Sequence, residues 1–309
     1  MVNLTGIDDL FKRLKKTKNK GINAQYIPDL ANVNPNIFAI SICTMDGEVH
    51  NYGDSEKEVG LESCSKVFNL ALALKKYGTE TLLDKIGTYS SSYDFNSIVA
   101  SDTISNHTIN SFNNGGAMAT VSLMYNKNQK KFEKELHDNI NNFAGRPLRV
   151  NEHLYNSEMS SNDHNMALAY LLKGYHRFYG EVLPCVQTYT KMCSLMVTSK
   201  DVAIMAATIA SRGTNPVTKK NIIDRELVQY ILTHMLTNGM YTESEKWMTE
   251  VGLPAKSGVG GVIMLVVPGI MGIGIVSPPL NKAGNSYLGT IASKVLSDTF
   301  NFNIYNTIA

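Results

Sequence analysis

From Val259 to Val276 the chain carries no charged residue. An uncharged run of that length is either a membrane span or a pair of strands buried on both faces. Pro268-Gly269 splits it, and Gly260, Gly261, Gly272 and Gly274 punctuate it. Proline and glycine end helices and make turns, so Val262–Val267 and Ile270–Val276 read as two buried strands joined by a tight turn. No membrane association is expected.

Two strands do not make a stable sheet alone. Ile37 to Thr44 is rich in branched and aromatic residues, Asp46-Gly47 is a hairpin signal, and Glu48 to Tyr52 would return antiparallel. The middle of the chain shows helical patterns over Lys130 to Phe143, Met166 to Tyr179 and Glu226 to Leu236. Thr198-Ser199-Lys200-Asp201 reads as a capping start for Val202 to Ser211, with Gly213 as its stop. A Ser277-Pro278-Pro279 break precedes a terminal helix from about Ser286 to Phe300. Strands therefore sit at both ends with helices between. The economical fold is α/β of the α+β kind: one antiparallel sheet built from both ends of the chain, plus an inserted helical subdomain. A cleft should lie where the two meet. The expected division is an N-terminal segment over 1–21 and a catalytic domain over 22–309. Its sheet would come from about 22–60 and 250–309, and its helical part from about 61–249.

A chain of 309 residues, 43% hydrophobic and 18% charged, can bury a sizeable core. Its net charge of +2 offers nothing to nucleic acid. The basic cluster Lys12-Arg13-Leu14-Lys15-Lys16 reads as the solvated face of a helix. Cys43, Cys64, Cys185 and Cys193 form no C-x-x-C or metal-ligand spacing, and the N-terminus has no long apolar stretch. Free thiols and a cytoplasmic location are expected, with no metal and no other cofactor.

The chemistry starts at Ser63-Cys64-Ser65-Lys66, the one Ser-x-x-Lys in the chain. It opens the apolar run Val67 to Leu74, which reads as a buried helix. Residues three apart share a helix face, so the Ser63 hydroxyl and the Lys66 amine can meet. A serine hydroxyl needs a neighbouring base, and a lysine is one when burial lowers its pKa toward neutrality. Cys64, one step on, should point about 100° away and pack. Lys256-Ser257-Gly258 stands directly before the first buried strand. Ser-x-x-Lys on a helix with Lys-Thr/Ser-Gly at a strand is the signature of the serine β-lactamase and transpeptidase fold.

Longer motifs narrow the reading. Tyr26-Ile27-Pro28-Asp29-Leu30-Ala31, Gly53-Asp54-Ser55, Phe95-Asn96, Asn114-Gly115-Gly116-Ala117, Ser157-Glu158, Asp163-His164-Asn165, Gly239-Met240-Tyr241, Gly252 to Val259 and Ser277-Pro278-Pro279-Leu280 are all present. From about residue 22 onward the chain resembles the serine-dependent glutaminases shared by bacteria and animal kidney. The resemblance implies a β-lactamase-like fold, hydrolysis of L-glutamine to L-glutamate and ammonia, and assembly as a homodimer or homotetramer. By position, Ser63 matches the nucleophile, Lys66 its base, and Tyr241 the tyrosine beside the serine. The backbone N–H groups of Ser63 and Val259 match the oxyanion hole. Tyr26, Asn114, Glu158, Asn165 and Tyr189 match the residues that hold the amino-acid end of glutamine.

The residue types suit that substrate. A carboxylate such as Glu158 can pair with an α-ammonium, while tyrosine hydroxyls and asparagine amides can hold an α-carboxylate. The chain departs from the family at Glu62, where glutamine is usual, at Tyr89-Ser90-Ser91-Ser92, where Glu-Pro-Ser-Gly is usual, and at Ser111, where proline is common. Two alternatives follow. One is a glutaminase-like binding protein without turnover. The other is a penicillin-interactive serine enzyme, although its Ser-Asp-Asn element is missing. Ammonia release from glutamine separates the first reading from both.

Overall fold

The computed structural model describes residues 4–104 and 106–306; the last three residues of the expected 22–309 domain lie outside them. Seven strands occur among these residues: β1 (Ala39–Thr44), β2 (Val49–Gly53), β3 (Val59–Gly60), β4 (Met196–Val197), β5 (Ala255–Gly258), β6 (Val262–Val267) and β7 (Met271–Val276). Five of them form one sheet in the order β2-β1-β7-β6-β5, antiparallel throughout. The Asp46-Gly47 turn closes the first hairpin, with Gly47 at φ 98°, and Gly269 at φ 73° closes the β6–β7 turn. The central strand β7 comes from the far end of the chain and pairs with β1 from the near end, Ile40 facing Ile275 and Ile42 facing Ile273.

Both faces of the sheet are covered, which is why its central strands lack a polar side. Ile40, Ile42, Ile263, Leu265, Ile273 and Ile275 point to one face and join the helices Ile7–Lys15 and Tyr287–Phe300. Phe11 of the first helix stacks on Phe38 at 5.2 Å, while Lys12, Arg13, Lys15 and Lys16 face water as expected. On the other face the helix Ser199–Ala210 lies directly against β7. A Cβ on Gly272 would fall 2.0 Å from the Ala207 nitrogen, and one on Gly274 2.1 Å from the Ser199 carbonyl oxygen. Only glycine permits so close an approach. The helix begins with the expected capping box between Thr198 and Asp201, and the chain turns away at Gly213, φ 93°.

The remaining helices pack beyond Ser199–Ala210 around a second core that includes Phe68, Phe112, Phe132 and Phe143. Gln129–Ala144 and Arg225–Asn238 lie where the apolar periodicity places them. The helix expected over Met166 to Tyr179 is displaced: it runs Asp163–Gly174 and ends in a turn with His176 at φ 59°. Asn114–Leu123, Glu152–Ser160 and Val182–Cys193 are additional helices. The stretch 61–249 is not wholly helical. It contains β4, which pairs with β3 as a separate two-stranded ladder, and the helix that roofs the sheet. Among the described residues no helix is long and apolar enough to cross a membrane.

Candidate active site

Ser63 does not sit inside the long helix but on the turn that feeds it. Glu62–Cys64 forms one tight helical turn, continuous with the helix Ser65–Lys85. Two ladders hold this turn. On one side β3 pairs with β4, and Leu61 N–H donates to the Leu195 carbonyl at 2.8 Å. On the other, the end of β5 presses against it. A Cβ on Gly258 would lie 2.7 Å from the Leu61 carbonyl oxygen, and one on Gly260 would lie 2.3 Å from that of Gly60. Glu62 and Tyr241 both adopt left-handed backbone conformations, φ 50° and 54°. Such residues cost about 1–3 kcal/mol each and persist where the surroundings over-determine them.

The turn opens on a cavity of about 660 Å³, mouth included. Seven of the nine residues singled out in the sequence line it: Tyr26, Ser63, Asn114, Glu158, Asn165, Tyr189 and Val259. Lys66 and Tyr241 lie behind it, 1% and 8% exposed. Each wall has a local cause. Asn113 caps the helix Asn114–Leu123 by accepting from Gly116 N–H, which sets Asn114 at the first helical position. Gly116 is obligatory there, since a Cβ would fall 1.8 Å from the Asn110 carbonyl oxygen. Asn151 caps the helix that carries Glu158. Ser157 in that helix accepts from Asp29 N–H at 3.3 Å and so ties down the segment that follows Tyr26.

Lys66 Nζ donates to the Phe112 carbonyl at 2.9 Å and to Asn114 Oδ1 at 2.7 Å. Asn114 Nδ2 donates in turn to Asn165 Oδ1 at 3.0 Å, and Asn165 Nδ2 to Asn162 Oδ1 at 2.8 Å. A chain of amides thus runs from the lysine to the far wall and fixes which end of each asparagine points where. Lys256, fully buried, donates to the Ser257 carbonyl at 2.6 Å and lies 4.4 Å from the centre of the Tyr241 ring. The Tyr241 hydroxyl donates to the same carbonyl at 3.1 Å.

Burial dominates the electrostatics. It brings Lys66 down to about 7, with Lys256 adding to the effect, and Lys256 down to about 8. Burial raises Glu158 to about 8, against the hydrogen bond it accepts from Ser194 Oγ at 3.1 Å. Burial raises the Tyr241 hydroxyl as well, while its hydrogen bond with Ser63 pulls the other way. The Cys64 Sγ donates to the Lys256 carbonyl, away from the cavity, which fits a packing role. Cys193 and Asn162, which no motif marked, line the cavity. Asn162 had one available signal: it directly precedes Asp163-His164-Asn165. The carboxyl oxygens of Glu62 and Glu158 and the Cys193 sulfur lie within 4.8 Å of one another. Among the described residues this is the grouping suited to a cation, whether a metal ion or an ammonium group.

A family model described as Glutaminase matches residues 21–305. A glutaminase of Colwellia psychrerythraea is 40% identical over 97% of this chain and 96% of its own. One of Parabacteroides distasonis is 40% identical over 95% and 92%. Among solved structures, a probable glutaminase, ybaS, superposes with a TM-score of 0.95 at 35% identity, covering 99% of this chain and 100% of that one. The Bacillus subtilis glutaminase YbgJ, solved as a covalent complex with 5-oxo-L-norleucine, superposes at 0.87 with 28% identity, covering 97% and 98%.

Proposed function

The chain belongs to the glutaminase family and hydrolyses L-glutamine to L-glutamate and ammonia, and on that premise we propose that Ser63 is the nucleophile and Lys66 its base. The observation that carries this is the state of Lys66. A neutral amine has two N–H groups and one lone pair, and Lys66 already faces two acceptors, the Phe112 carbonyl and Asn114 Oδ1. What is left is the lone pair, on an amine whose pKa lies near 7.

In this reading Glu158 pairs with the α-ammonium of glutamine, and Tyr26, Asn114, Asn165 and Tyr189 hold its α-carboxylate. Fixing both charges sets the side-chain amide against Ser63. Ser63 Oγ attacks the amide carbon as its proton passes to Lys66, with the Tyr241 hydroxyl beside both. The N–H groups of Ser63 and Val259 receive the oxyanion, each worth roughly 3–4 kcal/mol by the usual size of such donors. The tetrahedral intermediate expels ammonia, protonated by Lys66, and leaves a glutamyl ester on Ser63. Water then attacks the ester, gives its proton to Lys66, and glutamate departs as Ser63 recovers its own. The covalent complex of the Bacillus relative supports an intermediate of this kind. Residues 22–309 act as the catalytic domain.

The test is Ser63→Ala together with mass spectrometry after reaction with a glutamine-like diazoketone. The variant should fold and lose nearly all ammonia release, and wild type should carry the label on Ser63. A label on Cys193 or Cys64, or an active Ser63→Ala enzyme, would refute the assignment. We also propose a cytoplasmic homodimer or homotetramer. Four buried free thiols support the compartment, and the exposed Ile98, Val99, Tyr170 and Tyr175 support assembly. Sedimentation of the purified chain at the mass of a monomer would count against the oligomer.

A further inference from the structure

Glu62 has no part in the reaction as described, yet it is 3% exposed and stands one residue before the nucleophile. Its Oε1 is sealed from solvent and has no hydrogen-bond partner. That oxygen packs against Gly60: a Cβ built there would lie 2.8 Å from it. The carboxyl is within 4.8 Å of the Glu158 carboxyl and of Cys193 Sγ. Among the described residues Glu62 forms no ion pair. The two nearby lysine side chains are committed elsewhere, Lys66 to Phe112 and Asn114, Lys256 to Gly239 and Ser257. A buried carboxyl beside a second acid, with one oxygen unpartnered and no ion pair, keeps its proton.

We propose that Glu62 works as a neutral carboxylic acid whose O–H donates a hydrogen bond to the α-carboxylate of the bound substrate, so that glutamine binds more weakly once Glu62 is ionised. This rests on the reading above, in which Glu158 takes the α-ammonium. The two charges of an α-amino acid sit on one carbon, so an ammonium held at Glu158 brings its carboxylate within reach of a carboxyl at most 4.8 Å away. Neutral Glu62 then serves as a carboxamide would at the same place. Ionised, it sets one anion against another.

The titratable groups around Glu62 come from several elements. They are Glu158 of Glu152–Ser160, Cys193 of Val182–Cys193, Lys66 and Cys64 beside the nucleophile, Lys256 of β5, Tyr26 at the mouth and Tyr241 behind. Burial and Glu158 favour the proton on Glu62, and Lys66 opposes them. When glutamine is bound, its ammonium neutralises Glu158, which leaves Glu62 as the protonated member of the pair.

The experiment is the pH dependence of KM for glutamine in wild type and Glu62→Gln. The amide keeps the shape and the donor but cannot ionise. Groups that titrate in both proteins, the substrate's own ammonium included, cancel in the ratio of the two KM values. That ratio should climb toward about tenfold per pH unit above the ionisation of Glu62, with no matching change in the ratio of kcat. A ratio independent of pH would overturn the proposal. Should Glu62→Gln fail to fold, infrared spectra of glutamine-saturated Ser63→Ala with isotopically labelled glutamate decide instead. A protonated carboxyl band near neutral pH is expected, and its absence refutes the proposal. If Ser63→Ala still releases ammonia, the reading of the whole site fails. If Ser63→Ala is inactive and the KM ratio stays flat, Glu62 alone has been misassigned.

Discussion

At the scale of a single residue, the proposed role of Lys66 as base ties the rate to its protonation. With its pKa near 7, about half of it is neutral at that pH, and the neutral fraction grows above it. The kcat of the wild-type enzyme should therefore rise with pH along a limb centred near 7. Lys66→Arg keeps a cation that does not lose its proton in this range. It should lower kcat by roughly 10²–10⁴ and abolish the limb. A pH–rate profile of that variant with wild-type height and the same rise would point to the Tyr241 hydroxyl as the proton acceptor. That such residues gather at or behind one cavity was legible because they stand in motifs: Ser63 and Lys66 three apart, Tyr241 after Gly239-Met240, Glu158 after Ser157. Cys193 and the neutral environment of Glu62 were not. A residue reaches the cavity from the end of a helix such as Val182–Cys193 through packing alone, and no local pattern records it. Glu62 was visible as a departure from the family, but only the structure shows that its Oε1 is buried without a partner.

At the scale of elements, the contact between β7 and the helix Ser199–Ala210 is the tightest constraint on the sheet. Gly272→Val would drive a branched side chain into helix backbone at a point where even a Cβ lies 2.0 Å from the Ala207 nitrogen. The sheet and the helix cannot separate without opening both cores, so the substitution should destabilise the protein by ~3 kcal/mol or more. Urea unfolding of the variant measures it, and an unchanged midpoint would show that the layers shift freely. The strands were readable because β6 and β7 are uninterrupted apolar runs ended by Pro268-Gly269, and β1 and β2 flank Asp46-Gly47. Asn114–Leu123 was not. It begins with two glycines after the asparagine and is buried over almost its whole length, so it shows neither helical propensity nor an amphipathic stripe. Its start is set by the Asn113 cap and its persistence by what packs around it. Asp163–Gly174 was found but displaced, because the apolar spacing continues past Gly174 while the backbone turns at His176.

Across the whole molecule, the buried acids and lysines act in opposite directions on stability. Glu158 is raised from 4.5 to about 8, so the folded state holds its proton more tightly. The stability this contributes is fully present below about pH 4.5 and is lost as pH rises to about 8. Lys66 and Lys256 are lowered from 10.5 to about 7 and about 8. Their contribution is present above about pH 10.5 and is lost as pH falls toward 7. The two trends meet between about pH 7 and 8, so the site weakens the fold most in that interval. Glu158→Gln and Lys66→Met should each raise Tm in that interval, with the gain from Glu158→Gln shrinking toward pH 5. Tm values below wild type throughout would contradict this. The pairing of β1 with β7 has a further consequence, in the order of synthesis. Strand β1 leaves the ribosome more than two hundred residues before the partner that covers its inner edge. During that interval the β1–β2 hairpin offers an unpaired, apolar margin to any other strand nearby. A message truncated before Met271 therefore yields no smaller working enzyme, only a nascent chain with an open edge, which is a substrate for chaperones and proteases.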